Sequence, residues 1–189
     1  MTQASDRRVR RTRGLLHRAL IELLLEKGYS RTTVQNILDR ADVGRSTFYS
    51  HYRDKDDLLV VSCTEYLRAA VNDSGPAGTR LWDPVRTLLR MAEQNREVYR
   101  ALVGKRSGAV LIRATVQMVH EILADHLLGR ITVDAKEFEP TLTFFSWGLA
   151  GLLGSVAEEG VSATEAFSVF EALAASVDGL ITSEWSARQ

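Results

Sequence analysis

The stretch from Gly44 to Lys55, GRSTFYSHYRDK, is rich in side chains that donate hydrogen bonds. It holds three basic residues, three serine or threonine hydroxyls and three aromatic rings. Guanidinium, ammonium and hydroxyl groups bind phosphate oxygens, and a guanidinium can also donate two parallel hydrogen bonds to guanine. These residue types therefore favour binding to an acidic polymer such as DNA.

A helix that begins near Arg45 would sort these side chains onto two faces, because each residue turns the helix by about 100°. Arg45, Ser46 and Tyr49 fall on one side, and Phe48 and Tyr52 fall on the other. The two rings are expected to anchor a helix that is too short to be stable alone. The opposite face is expected to offer its donors to a partner.

The residues before this stretch predict two helices that position it. Apolar side chains recur every three or four residues over Leu15–Leu24, which predicts a first helix ending at a left-handed cap on Gly28. Thr32 or Thr33 is expected to cap a second helix over residues 34–41.

A tight turn is predicted at Asp42, in the left-handed conformation, before a third helix of about two turns that begins near Gly44 or Arg45. Such a helix fits the major groove of DNA. Arg45 is the candidate for guanine contact, and Ser46 can reach a base edge or a phosphate. The candidates for phosphate contacts are Thr33, Tyr49, His51 and Lys55.

Each assignment has a structural alternative. Arg45 could be a solvated surface residue, and His51 could be a packed structural histidine. Lys55 could be a surface residue in the first turn of the fourth helix. Tyr52 is assigned to the core rather than to DNA.

The net charge of the chain is zero, but the charges are unevenly distributed. Residues 1–55 contain 12 of the 24 Lys and Arg and 6 of the 24 Asp and Glu, so they carry +6 and the remainder carries −6. Residues 1–9 are interpreted as a flexible basic arm that could reach a minor groove or could stay solvated. The domain prediction is a helix-turn-helix DNA-binding domain over residues 1–54 and a second domain over residues 55–189, for which the family resemblance described below implies a helical regulatory and dimerisation role.

The second domain is predicted to be helical, so the fold class is all-α. An Asp54–Asp57 capping box predicts a helix from Lys55 to about Val71. Pro140 is expected to open a later helix, because proline is favoured at the first helical position. A capping box at Ser162–Glu165 is expected to open the last one. The remaining predictions are helices over residues 83–103 and 109–128 and loops over residues 74–79 and 129–139.

The last two predicted helices carry patterns suited to helix packing. An apolar seam steps by four, three, four and three residues through Ala166, Phe170, Leu173, Val177 and Leu180. Gly148, Gly151 and Gly154 recur every three residues, and each costs of order 1 kcal/mol in a helix interior. Close approach of another helix would offset that loss. Packing within one chain is the alternative to packing against a partner subunit.

Aromatic and methionine side chains of the second domain could line an apolar ligand cavity, although such residues more often form ordinary core. They are Trp82, Met91, Tyr99, Met118, Phe144, Phe145 and Trp147. None is assigned as a ligand-binding residue. His120 and His126 cannot share a helix face, which argues against a two-histidine metal site. With no catalytic constellation recognised, the chain is predicted to be no enzyme and to need no metal or cofactor.

The cysteine content of the chain indicates its compartment, and its apolar runs indicate whether it crosses a membrane. Cys63 is the only cysteine, which favours a reducing compartment and is interpreted as a buried, inert thiol. The N-terminus lacks a signal-peptide core. The uncharged run over residues 141–157 is short for a membrane span and is interpreted as a buried helix. The predicted location is cytoplasmic, with no membrane partner.

The run TTVQNILDRADVGRSTFYSHYRDKDDL, residues 32–58, resembles the DNA-binding domain of the TetR/AcrR family of one-component transcriptional regulators. The shared pattern is paired threonines opening the second helix, a T-F-Y-x-H-aromatic core in the third, and a lysine followed by acidic residues and leucine. The resemblance covers about residues 10–60. The chain departs from the family's common residues at four positions. Leu38 replaces the common Ala and Asp42 the common Gly, while Gly44 replaces the common Ser or Thr and Arg53 the common Pro.

The resemblance implies roles for several side chains and a mode of assembly. It places Arg45, Ser46 and Thr47 at the base-proximal end of the recognition helix. It gives phosphate contacts to Thr33, Tyr49, His51 and Lys55. It also implies a homodimer in which the last two helices, Thr141–Ala157 and Ala163–Ser183, form a four-helix bundle.

The resulting hypothesis is a ligand-responsive transcriptional regulator, interpreted as a repressor, that binds a palindromic operator in double-stranded DNA as a dimer. A small-molecule effector is expected to release it by binding the DNA-incompetent state better. Two alternatives stay open. One is a helical small-molecule-binding or enzymatic protein with a non-functional basic head, and the other is a regulator controlled by a protein partner.

Overall fold

The computed structural model describes residues 2–73, 80–105, 107–128 and 135–186. Within these residues the chain forms nine α-helices and one turn of 3-10 helix at Tyr29–Arg31, so the predicted all-α fold is confirmed there. The helices are α1 (Thr2–Lys27), α2 (Val34–Ala41), α3 (Arg45–Tyr49), α4 (Lys55–Asp73), α5 (Asp83–Gln94), α6 (Arg96–Val103), α7 (Ala109–Leu127), α8 (Ala135–Glu158) and α9 (Ala163–Ser186). The loop predicted at residues 74–79 lies outside the described residues, as do residues 129–134 of the second predicted loop.

The chain divides into two compact units, here called the head (Met1–Leu67) and the body (Arg68–Gln189). The division falls within α4, later than the boundary at residues 54/55 drawn from the sequence. The first half of α4 belongs to the head because its side chains contact α1. His17 Nδ1 lies 3.0 Å from Ser62 Oγ, for example.

The core of the head is formed by apolar side chains from α1 to α4. Phe48 is fully buried and Tyr52 is 2% exposed, which confirms that these two rings anchor the third helix. Cys63 is buried as predicted, and desolvation raises the pKa of its thiol to about 12. The other fully buried large side chains of the head are Leu16, Leu20, Ile37, Leu58 and Leu59.

The N-terminal helix is longer than the sequence analysis expected. It is helical from Thr2, although residues 1–9 were interpreted as a flexible arm. No proline or glycine precedes Gly14, and arginine is a good helix former, so nothing in this segment interrupts the helix. Gly28 follows the helix with φ 80° and ψ 158°, in an extended region open almost only to glycine rather than in the predicted left-handed helical region.

The body packs α8 against α5, α6, α7 and α9, and α9 also packs against α5. Three aromatic rings join these helices: Trp82 lies 5.2 Å from both Phe145 and Phe170, measured between centroids. The single helix predicted over residues 83–103 is broken at Asn95, whose side-chain amide donates a 3.0 Å hydrogen bond to the carbonyl of Met91. An asparagine competes for backbone hydrogen bonds in this way, which the apolar pattern does not show.

The residues that could have lined an apolar ligand cavity differ in their exposure. Met91, Met118 and Phe145 are buried, whereas Phe144 is 58% and Trp147 is 50% exposed. The seven residues therefore cannot line a single enclosed cavity.

One helix of the described residues, spanning Lys136–Glu158, is long and apolar enough to cross a membrane by length and composition. Of its most apolar window, 44% is buried inside the protein. The interpretation of residues 141–157 as a buried helix is thus correct for one face only, since Phe144 and Trp147 are exposed.

The predicted packing seam and glycine row are divided between the interior of the body and its surface. Phe170 is 3% exposed, but Leu173 is 52% exposed. A Cβ atom on Gly154 would lie 3.2 Å from the carbonyl oxygen of Val103, so this glycine allows close packing on α6 within the chain. Ala166 is also buried, and the side chains of Val177 and Leu180 lie outside the described residues.

Pro140 does not open α8, contrary to the sequence prediction. The helix begins at Ala135, and Pro140 lies inside it. Proline lacks the N–H that would bond to the carbonyl of Lys136, and its ring is crowded by that carbonyl. The prediction was wrong because the preference of proline for the first helical turn does not exclude a further turn before it.

We expect Pro140→Ala to raise the free energy of unfolding by about 1–3 kcal/mol, because alanine restores a backbone hydrogen bond inside the helix. Chemical denaturation of the two proteins measures the difference. Pro84→Ala is the matched control, since Pro84 lies in the first turn of α5, where no intrahelical bond is lost. No gain for Pro140→Ala would place the start of α8 at Pro140 instead.

Candidate nucleic-acid interface

The N-terminus of α2 is closed by a capping box on Thr33. Its Oγ1 accepts a hydrogen bond of 3.2 Å from the N–H of Asn36, and Asn36 Oδ1 accepts one of 3.1 Å from the N–H of Thr33. Asp42 follows the helix in the left-handed conformation, with φ 52° and ψ 49°. The predicted cap, helix bounds and turn conformation are therefore all confirmed. The turn is closed by the N–H of Val43, which donates to the carbonyl of Leu38.

α2 is held against α1 by a charged cluster on the surface of the head. Arg40 donates to Glu26 through two nitrogens, each at 2.7 Å, and to Glu22 at 3.1 Å. The hydrogen bond from Arg40 lowers the pKa of Glu26. This cluster adds polar contacts between α2 and α1 to those of the buried Ile37 and Leu38.

The third helix is shorter than predicted but presents the predicted side chains. It spans five residues, and Gly44 caps it without a side-chain hydrogen bond. The ring of Tyr49 stands edge-on to Phe48 at 5.2 Å between centroids and is 51% exposed. Buried Phe48 therefore orients the exposed ring of Tyr49. The exposed residues of this segment are Arg45, Ser46, Thr47, Tyr49 and Ser50.

Arg45 is not a freely solvated side chain, although it is exposed. Its Nη2 donates a 2.8 Å hydrogen bond to Oε1 of Gln35, and Nε2 of Gln35 donates a 2.7 Å bond to Oδ1 of Asp39. The sequence analysis did not single out Gln35. The spacing of Gln35 and Asp39, four residues apart on α2, was visible, but the contact with Arg45 depends on how the turn places α3.

Lys55 is half-buried and bonded to the backbone. Its ammonium donates to the carbonyls of Tyr29 at 3.0 Å and Thr32 at 2.9 Å, and lies 4.2 Å above the ring of Tyr29. Because an ammonium has three donors, one more is available to a ligand. The contact with Thr32 brings Lys55 next to Thr33, so these two predicted phosphate-binding residues lie together.

Tyr29 also ties this corner of the head to α4, which the sequence analysis missed. Its hydroxyl donates to the carboxylate of Asp56. Burial, followed by that hydrogen bond, raises the pKa of the Tyr29 hydroxyl, so it stays protonated as a donor. The sequence around Tyr29 contains no motif that would predict its hydrogen bond to Asp56.

The start of α4 differs in one bond from the predicted capping box. Asp54 accepts from the N–H of Asp57 at 2.8 Å, as expected. Asp57, however, accepts from the N–H and the guanidinium of Arg53, each at 2.9 Å, rather than from Asp54. The bonds from the Arg53 side chain and backbone lower the pKa of the Asp57 carboxyl. His51 is half-buried next to Tyr52, with ring centroids 6.2 Å apart.

The family described as "Bacterial regulatory proteins, tetR family" matches residues 16–61, which contain α2, α3 and the start of α4. Residues 16–61 of the head are thus similar to the TetR family. Among its relatives, the uncharacterized HTH-type transcriptional regulator YxbF of Bacillus subtilis (strain 168) is 38% identical over 76 residues. The HTH-type transcriptional regulator TcmR of Streptomyces glaucescens is 35% identical over 75 residues.

These relatives match only part of this chain and only part of their own length. The matched segments cover 38% and 39% of this chain, and only 20% and 33% of YxbF and TcmR. The fold extends further: a TetR transcriptional regulator from Streptococcus agalactiae 2603V matches with a TM-score of 0.60 over 92% of this chain and 98% of that one, at 24% identity. This chain therefore shares the fold of that protein over most of its length.

No group of three or more His, Cys, Asp or Glu that could hold a metal occurs in the described parts of the chain. Glu22, Glu26 and Asp57 instead accept hydrogen bonds from arginine.

We expect Lys55→Met to lower the free energy of unfolding by about 1–3 kcal/mol even without DNA, because two carbonyls lose a charged donor. Urea denaturation of the free protein measures this. Arg8→Met removes an exposed cation of α1 and is expected to change stability by less than about 0.5 kcal/mol. Equal stability of the Lys55 variant and the parent would contradict the structural role of this ammonium.

Proposed function

We propose that this protein is a transcriptional regulator that binds double-stranded DNA through its TetR-type head. The observation that carries the proposal is the division of α3 into a buried ring, Phe48, and an exposed row of donors that begins with Arg45. Such a helix, presented by a short preceding helix and a tight turn, suits the major groove. The match of residues 16–61 to the TetR family supports the same proposal.

The residues of the head divide into base-reading and phosphate-binding groups in this proposal. Arg45 reads guanine, and Ser46 and Thr47 lie at the same end of α3. The hydroxyl of Thr33 accepts the capping bond and can donate its own proton to a phosphate, beside the remaining donor of Lys55. Tyr49 and His51 complete the set of phosphate contacts.

The body is proposed to form a homodimer through α8 and α9, over the predicted segments Thr141–Ala157 and Ala163–Ser183. Four large apolar side chains of these helices are half exposed or more. A Cβ atom on Gly148 or Gly151 would meet no described atom within 4 Å, so a second helix could approach closely there. The exposed side chains are Phe144, Trp147, Val169 and Leu173.

A dimer would present two recognition helices to a palindromic operator. We propose that a small-molecule effector of the body controls this binding and that repression in the cytoplasm is the regulatory outcome. The effector must bind the DNA-incompetent state more tightly, since equal affinity for both states shifts nothing. No enzymatic role is proposed. A protein partner in place of the effector is the alternative, and thermal shifts with candidate compounds distinguish the two.

We expect Arg45→Ala to weaken binding to the preferred operator by about 1–3 kcal/mol and to relax the preference at one base pair of each half-site. Duplexes selected from a random pool, followed by anisotropy titrations, measure both effects. Arg113→Ala removes an exposed cation of the body and is the control.

In the parent protein, the affinity for the operator should fall steeply between 50 and 200 mM salt, roughly 10³-fold or more for six or more phosphate contacts. A salt-insensitive complex, or none, would favour the non-regulatory alternative.

We expect Trp147→Glu to raise the dimer dissociation constant by about tenfold or more. The proposed interface would bury the side chain of residue 147, and a carboxylate is costly to bury without a charged partner. Light scattering after size exclusion, over a range of concentrations, measures the change. Val110→Glu alters an apolar residue of α7 that is 44% exposed and should leave the dimer intact. An unchanged mass distribution for the Trp147 variant would place the interface elsewhere.

A further inference from the structure

We propose that Gln35 is a positioning residue for the base-reading arginine. Asp39, Gln35 and Arg45 form a chain of hydrogen bonds, here called the relay, that runs from α2 to the first residue of α3. The relay holds the Arg45 guanidinium in place before DNA arrives and so sharpens its preference for a guanine. This inference rests on the proposed DNA-binding function.

The orientation of the Gln35 amide follows from the charges at its two ends. An amide has one acceptor and one donor group, and here an anionic carboxylate and a cationic guanidinium lie on opposite sides of it. Only one orientation satisfies both, with the NH₂ group towards Asp39 and the oxygen towards Arg45. The carboxylate of Asp39 thereby fixes the acceptor that Arg45 meets.

The bond to Gln35 leaves Arg45 able to read a base. A guanidinium carries five N–H donors, and guanine recognition needs two that point in parallel. The bond in the structure uses a hydrogen on Nη2. Whichever of the two Nη2 hydrogens is used, one edge of the group still presents a parallel pair. Restraint of the side chain is therefore compatible with a bidentate contact.

An uncharged amide at residue 35 matters because it restrains the Arg45 guanidinium without placing a negative charge beside it. Arg40, on the same helix, is bonded to two carboxylates, Glu22 and Glu26. Arg45 is bonded to an uncharged amide instead, so it keeps its attraction to the acidic duplex. A long exposed side chain loses rotamer freedom on binding, and a pre-ordered one loses less. Pre-ordering also fixes which base pair the guanidinium can reach.

We test the relay with Gln35→Met, which keeps the length and helix propensity of the residue but removes its acceptor and its donor. The parent and variants are first used to select duplexes from a random pool. Affinities are then measured for the selected duplex and for the same duplex with A·T in place of the guanine pair that depends on Arg45. We expect Gln35→Met to reduce this discrimination by about two- to fivefold and Asp39→Ala to reduce it in the same direction.

The double variant with Arg45→Ala separates positioning from direct contact. A positioning role predicts that Gln35→Met has no further effect on discrimination once Arg45 is absent. An equal loss with and without Arg45 would mean that Gln35 touches DNA itself, and unchanged discrimination in the single variant would also overturn the relay. Gln117→Met removes a similar glutamine–carboxylate pair from α7 of the body and should have no effect.

A second readout needs no DNA. The NMR order parameter of the Arg45 Nε–H bond in the free protein should fall in Gln35→Met and stay near the parent value in Gln35→Glu, which keeps an acceptor. An Arg45 side chain that is equally mobile in the parent and Gln35→Met overturns the relay even if DNA binding is strong. An ordered side chain in a parent that binds no duplex would instead show that the proposed function had failed.

Discussion

Burial of Phe48 is the constraint on which the rest of the head depends. α3 has five residues, and a helix of that length is not stable in water by itself. The fully buried ring of Phe48 supplies the packing that the backbone lacks, and the left-handed turn at Asp42 directs the ring into the core. Once that ring is inside, Arg45 and Tyr49 must point outwards. The exposure of the donors on α3 thus follows from the burial of Phe48.

The arginines of the head differ in whether they contact carboxylates or an uncharged amide. Arg40 and Arg53 are both bonded to carboxylates, at Glu22 and Glu26 for the first and at Asp57 for the second. These arginines fix helices rather than contribute free positive charge. Arg45 is held by an amide and keeps its charge. The net charge of +6 over residues 1–55 therefore does not show which of the cations are paired with carboxylates and which are not.

The features that were predictable from sequence are those determined within about one helical turn. The cap at Thr33, the bounds of α2 and the left-handed residue at Asp42 each depend on neighbours three or four residues away. The contacts of Arg45 with Gln35 and of Lys55 with the Tyr29 carbonyl join residues 10 and 26 positions apart, so they require the tertiary fold. The start of α8 before Pro140 was missed for a different reason, since a proline in the first turns of a helix does not fix the residue at which the helix begins.

Twofold symmetry would make a weak surface interaction matter for specificity. The relay lies on the protein surface, where a single hydrogen bond contributes little to the stability of the fold. In a dimer on a palindromic site, however, the same relay acts once in each half-site, and independent free energies add. A roughly threefold gain in discrimination per half-site becomes roughly ninefold for the operator. The exposed apolar surface of α8 and α9, which joins the subunits in this proposal, and the polar relay in the head therefore serve one property, the choice of DNA site.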